Sequence, residues 1–191
     1  QQRTSARPTR RFRRQHRRSE IGFPLILNRI KDEARKRMAR EYEEHYRVDQ
    51  GGETVLIEKT PNNFLYLGFL QGLFPKAKFI HTVRDSRDVC FSIWCRLFPN
   101  AGHPYAYDAQ ELAEYHLLYQ NLMEYWHEHL PVPIYNLHYD SLIAEPEVEI
   151  RALLDHCDMP YEEQCLAFHD SDRAVMTASG AQVRRPIYAG S

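Results

Sequence analysis

A nearly continuous apolar, β-branched run, Lys78-Phe-Ile-His-Thr-Val83, ends on Arg84 and passes at once into a segment whose apolar residues recur as Val89, Ile93 and Leu97. A run of this kind, without regular polar alternation, is the pattern of a strand buried on both faces of a parallel sheet. The helical spacing directly behind it predicts a βα unit, with Asp85 or Ser86 as the N-cap. Parallel strands need a crossover, so more such units must follow or precede this one.

They are legible on both sides. Val55-Leu-Ile57, a loop at Pro61 and a helical stretch over about 63–74 closed by Pro75 read as strand, loop and helix. A long helix is expected from Asp108, where Asp108-x-x-Glu111 has the form of a capping box and Leu112, Tyr115, Tyr119, Leu122, Trp126 and Leu130 step by three or four. Pro131 stops it, Val132–Tyr139 forms a third strand, and Pro146 opens a helix carrying Ile150, Leu153, Leu154 and Cys157. Ahead of all these, Ile30, Ala34, Met38, Tyr42 and Tyr46 make an amphipathic stripe over 29–47, supported by Glu33–Arg37 and Glu43–Arg47 at i,i+4. Alternation of this kind predicts an α/β layered fold, and no internal repeat is present.

At 191 residues, 43% hydrophobic and 27% charged, the chain suits one globular domain, and no apolar run reaches the roughly 20 residues of a membrane span. The net charge of −1 conceals an asymmetry: eight of the 25 Lys and Arg fall in 1–18, leaving 17 against all 26 acids in the remainder. Residues 1–18 have no apolar periodicity and are expected to be disordered. The four cysteines (Cys90, Cys95, Cys157, Cys165) form no CxxC pair, which favours a reducing compartment or core thiols and gives no zinc-ligand spacing; no metal is expected. The chain opens on Gln1, without a signal-peptide pattern, and is expected to start at a cut.

The chemistry concentrates where strands end. A guanidinium fixed at a strand end beside helix N-terminal amides can converge on a phosphate, so Arg84 is a candidate anion ligand; a plain Arg84–Asp85 surface pair is the alternative. Ser92 and Arg96 are four apart and are expected on one helix face.

The segment Arg84-Asp-Ser-Arg-Asp, with Ser92 and Arg96 beyond it, resembles the element by which 3′-phosphoadenylyl-sulfate-dependent sulfotransferases grip the donor's 3′-phosphate, with the nearest likeness to the protein-tyrosine and related bacterial sulfotransferases. The resemblance makes Arg84, Ser92 and Arg96 donor ligands. Glu58-Lys-Thr-Pro61 is similar to the EKTP segment of heparan-type members, which makes Lys59 the candidate for stabilising charge that grows on the departing bridging oxygen. Leu137-His-Tyr-Asp-Ser-Leu142 resembles the segment whose tyrosine lies against adenine, so Tyr139 inherits that role, with a core tyrosine as the bland alternative. Ser179-Gly-Ala-Gln-Val-Arg-Arg-Pro186 resembles an S-x-x-Q-V-x-K-P segment in which the serine meets the sulfuryl group, so Ser179 and Arg185 are carried over, Arg185 standing where the family has lysine.

The family's P-R-S-G-T-T loop, which cradles the 5′-phosphosulfate, has no counterpart in residues 1–52, and Glu20 in Ser19-Glu-Ile-Gly-Phe-Pro24 is the candidate general base. The implied fold is α/β, three-layered about a parallel sheet and similar to P-loop nucleotide hydrolases, incomplete at its N-terminus. Residues 1–18 are then either an out-of-frame translation over the phosphate loop or a basic arm for acidic acceptors, and residues 19–191 a partial sulfotransferase domain. The resemblance implies transfer of a sulfuryl group from 3′-phosphoadenylyl sulfate to a hydroxyl on protein tyrosine, a small molecule or a glycan, without a metal. Its alternative is a nucleotide-binding fragment without activity. Nucleic-acid binding through the basic arm would rest on charge alone and is not expected.

Overall fold

The computed structural model describes residues 30–46, 55–98 and 103–167, which fall into two units divided between Ala77 and Lys78.

In the first unit, α1 (Asp32–Tyr46) begins with Asp32 and Glu33, whose charges suit the positive end of the helix dipole, and carries His45 in its last turn. Its half-buried side chains include Ala34, Met38 and Tyr42, in agreement with the predicted stripe. The expected Glu33–Arg37 pair is replaced by neighbours on the same face: Glu33 meets Lys36 at 3.6 Å and Arg37 meets Glu41 at 3.7 Å. All of these groups are exposed, where such pairs exchange at little cost.

The strand expected at Val55–Ile57 does not form: residues 55–60 have no regular structure, and Ile57 is 81% exposed. An apolar run becomes a strand only beside a partner with free backbone groups, and none pairs with it among the described residues. The helix behind it is divided. Pro61 opens a 3₁₀ segment, Pro61–Tyr66, which continues as α2 (Leu67–Leu73) and closes with the Phe74 amide on the Leu70 carbonyl at 2.8 Å. Leu67 and Leu73 are buried, and the Tyr42 ring of α1 packs on Phe74 at 5.4 Å.

The second unit is built on two parallel strands, β1 (Phe79–Val83) and β2 (Ile134–His138), in register from Phe79 opposite Ile134 to Val83 opposite His138. The crossover between them holds α3 (Ser86–Trp94), a 3₁₀ turn (Pro104–Tyr107) and α4 (Ala109–His129). Asp108 caps α4 by accepting from the amides of Gln110 and Glu111, both at 2.9 Å. Its own amide donates to the Tyr105 carbonyl, so the expected box closes on one side only.

α4 covers the face of the sheet that carries His81 and Asn136. There the His81 Nδ1–H donates to Asn136 Oδ1 at 2.9 Å, and Nε2 accepts from the Tyr119 hydroxyl of α4. The buried residues described in this unit are Phe79, Ala106, Leu112 and Met123. The opposite face meets α6 (Pro146–His156) through β2, where the Tyr135 ring stands 5.3 Å from that of His156. Among the described residues little covers β1 on that side, and Ile80 is 45% exposed. The expectation of a strand buried on both faces is therefore corrected for β1, because α6 packs against its neighbour.

After β2 the chain turns directly into α5 (Tyr139–Ala144), then α6, and ends its described part in a 3₁₀ turn, Glu163–Cys165. α6 closes with a Schellman motif: the Met159 amide reaches the Leu154 carbonyl at 2.9 Å and the Asp158 amide reaches that of Asp155 at 3.0 Å. Asp158 holds the left-handed position at φ 56°, where glycine is usual, and pairs with Lys78 at 2.6 Å. Among the described residues no helix is long and apolar enough to cross a membrane.

Candidate functional site

The register of the sheet decides which side chains meet. Val83 and His138 are partners at the carboxyl ends of β1 and β2, so the next residues, Arg84 and Tyr139, leave the sheet side by side. The Arg84 guanidinium lies over the Tyr139 ring, 4.9 Å from its centroid. In open α/β sheets the space beyond the carboxyl ends of the strands is where ligands bind. A cation and a flat aromatic face, drawn from two sequence motifs, are brought together in that space.

Arg84 also donates from Nε and a terminal nitrogen to Asp88 Oδ2, at 3.3 and 3.2 Å. The surface pair considered for Arg84 was with Asp85; the partner found is Asp88, one helical turn further on. Asp85 turns instead to the helix, accepting from the Arg87 amide at 2.8 Å and from the Arg87 guanidinium at 3.0 and 2.8 Å. The Arg87 side chain, followed by its amide, holds the Asp85 carboxyl far below the usual carboxylate range. The Arg87 amide of α3 thus serves Asp85, while the Arg84 guanidinium stands at the strand end beside it.

Ser92 is exposed on α3 one turn beyond Asp88 and on the same face, hence on the side of the helix that Arg84 reaches. Arg96 lies beyond the end of the helix. α3 ends at Trp94, and Cys95 and Arg96 are drawn into a tighter turn in which the Arg96 amide donates to the Ile93 carbonyl at 3.1 Å. Leu97, expected in the buried stripe, is 90% exposed for the same reason. Helical spacing loses its meaning once the helix has stopped.

Lys59 belongs to the first unit, exposed just ahead of the 3₁₀ turn. Its neighbour Glu58 folds forward to accept from the Thr60 hydroxyl and the Asn63 amide, which fixes the bend in Glu58-Lys-Thr-Pro61 from within. Among the described residues Lys59 has no ion pair, and its ammonium is left to solvent. Glu20, Ser179 and Arg185 lie outside the described residues. Among the described residues no cluster of His, Cys, Asp and Glu could hold a metal ion. A shallow cavity of about 420 Å³ bounded by Arg151, Asp155, Met159 and Tyr161 on and after α6 contains none of the motif residues.

Two features escaped sequence reasoning. Asp88 carries no signal that separates it from Asp85, since both follow Arg84 closely and only side-chain direction decides. The His81–Asn136–Tyr119 network depends on a pairing register that becomes visible once the strands are aligned. Burial, with smaller contributions from His127 and His138, lowers the His81 pKa below its usual value, against the bond to Asn136.

Comparison with known proteins extends the picture. A model described as the sulfotransferase family matches residues 1–163. An uncharacterized protein of Aquifex aeolicus is 39% identical over 141 residues, covering 71% of this chain and 18% of its own length. A "Putative protein-tyrosine sulfotransferase" of Caenorhabditis elegans is 31% identical over 117 residues, 60% of this chain and 44% of that protein. The omega-hydroxy-beta-dihydromenaquinone-9 sulfotransferase Stf3 of Mycobacterium tuberculosis is 30% identical over 139 residues, 61% of this chain and 34% of the enzyme. The chain spans less than half the length of each of these relatives.

Proposed function

Because this chain belongs to the sulfotransferase family, we propose that its strand-end site binds 3′-phosphoadenylyl sulfate and that the whole protein transfers the sulfuryl group to an acceptor hydroxyl. The observation that carries the reading is the Arg84 guanidinium stacked on the Tyr139 ring beyond two parallel strands. A guanidinium suits the 3′-phosphate, and an aromatic face suits the purine. Ser92 and Arg96 are the further donor ligands of this proposal. The domain is then residues 19–191, three-layered and P-loop-like, a reading supported by α4 and α6 meeting opposite faces of the sheet.

In the transfer, the acceptor oxygen attacks sulfur in line, the sulfur–oxygen bond to the nucleotide phosphate breaks, and adenosine 3′,5′-bisphosphate leaves. The acceptor's proton passes to a base, for which Glu20 is proposed. Lys59 meets the charge that grows on the leaving oxygen, Ser179 the sulfuryl oxygens and Arg185 the donor phosphates. The proposed acceptor is a protein tyrosine, as in the name of the Caenorhabditis relative; the Mycobacterium relative is named for a hydroxylated menaquinone.

Calorimetry with adenosine 3′,5′-bisphosphate and with adenosine 5′-monophosphate tests the binding step. Preference for the bisphosphate, lost in Arg84→Ala, is expected. Equal affinity for the two nucleotides, or a preference that survives the substitution, would overturn the site. A sulfate-transfer assay on a complete parent, with tyrosine peptide and lipid alcohol as competing acceptors, then tests the reaction. Binding without transfer to either would leave a nucleotide-binding protein.

A further inference from the structure

We propose that Asp88 is an internal stand-in for the donor's 3′-phosphate, holding Arg84 in its receiving position until the nucleotide displaces it. The inference rests on the donor-binding reading above and concerns how that site is kept ready. Both Arg84 bonds to Asp88 go to one carboxylate oxygen, at 3.3 and 3.2 Å. A matched guanidinium–oxyanion fork makes two parallel bonds to two oxygens at about 2.7–2.9 Å. The Asp88 contact is longer and single-sided, and so leaves room for a better acceptor.

The two partners differ in how firmly they are held. The Arg84 side chain is 26% exposed and is backed by the Tyr139 ring, whereas that of Asp88 is 52% exposed on the surface of α3. Exchange would therefore turn the carboxylate out to water and leave the guanidinium where it is. Asp85 cannot play this part, although it is the nearer acid in sequence, because both of its oxygens are engaged by Arg87. Asp88 thus preserves the direction of Arg84 in the unliganded protein at the expense of affinity for the anion.

The test uses the full chain and two ligands. Asp88→Asn keeps the side-chain shape and removes its charge, and the affinity for adenosine 3′,5′-bisphosphate should rise about fivefold, the upper range for an exposed pair. Affinity for adenosine 5′-monophosphate, which lacks the 3′-phosphate, should stay as it was. Asp88→Ser should reproduce both results, and in an Arg84→Ala background Asp88→Asn should have lost its effect. Unchanged or weaker bisphosphate binding by Asp88→Asn, with Arg84→Ala still removing the preference for the bisphosphate, would overturn this inference and leave the donor site standing. An equal gain for both nucleotides would also overturn it, as a general charge effect. Failure of the unaltered chain to prefer the bisphosphate would bring down both readings.

Discussion

Arg84 is the residue on which the proposed site depends, and its replacements separate charge from shape. Arg84→Ala should weaken adenosine 3′,5′-bisphosphate by about 1.5–3 kcal/mol, the value of a hydrogen bond to a charged group. Arg84→Lys should recover only part of this, because a point charge neither forks to a phosphate nor stacks on Tyr139; calorimetry on both variants is the measurement. Lys59→Ala, in a complete parent, should leave affinity for the intact donor, 3′-phosphoadenylyl sulfate, unchanged and lower kcat, since its proposed partner charge appears only as the bond breaks. A parallel loss of affinity and rate would remove that role. The place of Arg84 was legible because it directly follows an apolar run, and the end of a strand is a position that sequence can mark; Tyr139 was marked by the family resemblance, and the strand expected to include it stops one residue earlier, at His138. The helix was expected to run past Arg96 and stops at Trp94, because moving a helix end by a few residues changes little in the apolar pattern.

Among the elements, α4 was the best foreseen, from its cap at Asp108 to its stop before Pro131. Asp108→Ala should cost about 1 kcal/mol in a denaturant titration, because two amides lose their acceptor. The end of α6 should respond in an unusual order. Asp158→Ala keeps a Cβ in the left-handed position and loses Lys78, whereas Asp158→Gly loses Lys78 but relieves the backbone, so the glycine variant should be the more stable of the two. The sheet carries a pH signature. His81 is neutral in its network and has a lowered pKa, so the unfolded chain takes up the proton first. This contribution to stability is full above about pH 6.5 and falls as the pH drops from there toward the folded value. His81→Gln should flatten that slope in denaturation curves recorded across the range; a slope that persists unchanged would assign it to other groups, His116 among them, whose pKa burial also lowers. The strand expected at Val55–Ile57 was the element that failed, since apolar composition describes an appetite for a partner and cannot supply one.

For the molecule as a whole, the described core is small, and its weight falls on few residues. Leu112→Ala, at 4% exposure, should cost about 2–5 kcal/mol, while Leu97→Ser, in the open, should change stability by no more than about 0.5 kcal/mol. Urea titrations of the two variants would show whether the core lies where these exposures put it. The alternation of strands and helices that sequence revealed was enough to give the α/β class, because hydrophobic period is a local property. Which face of β1 is covered was not, because that depends on where α6 comes to rest. The in-step pairing of β1 with β2 has one more consequence. Arg84 and Tyr139 are spaced by a ruler two strands wide, and the long crossover between them contributes nothing to the measurement. Residues could be added to the stretch between α3 and the 3₁₀ turn and the two side chains would still face each other, whereas a single residue removed from inside β1 would put Arg84 out of step with Tyr139. The connection is free to drift in length over time; the strands are the part of the gauge that must keep count.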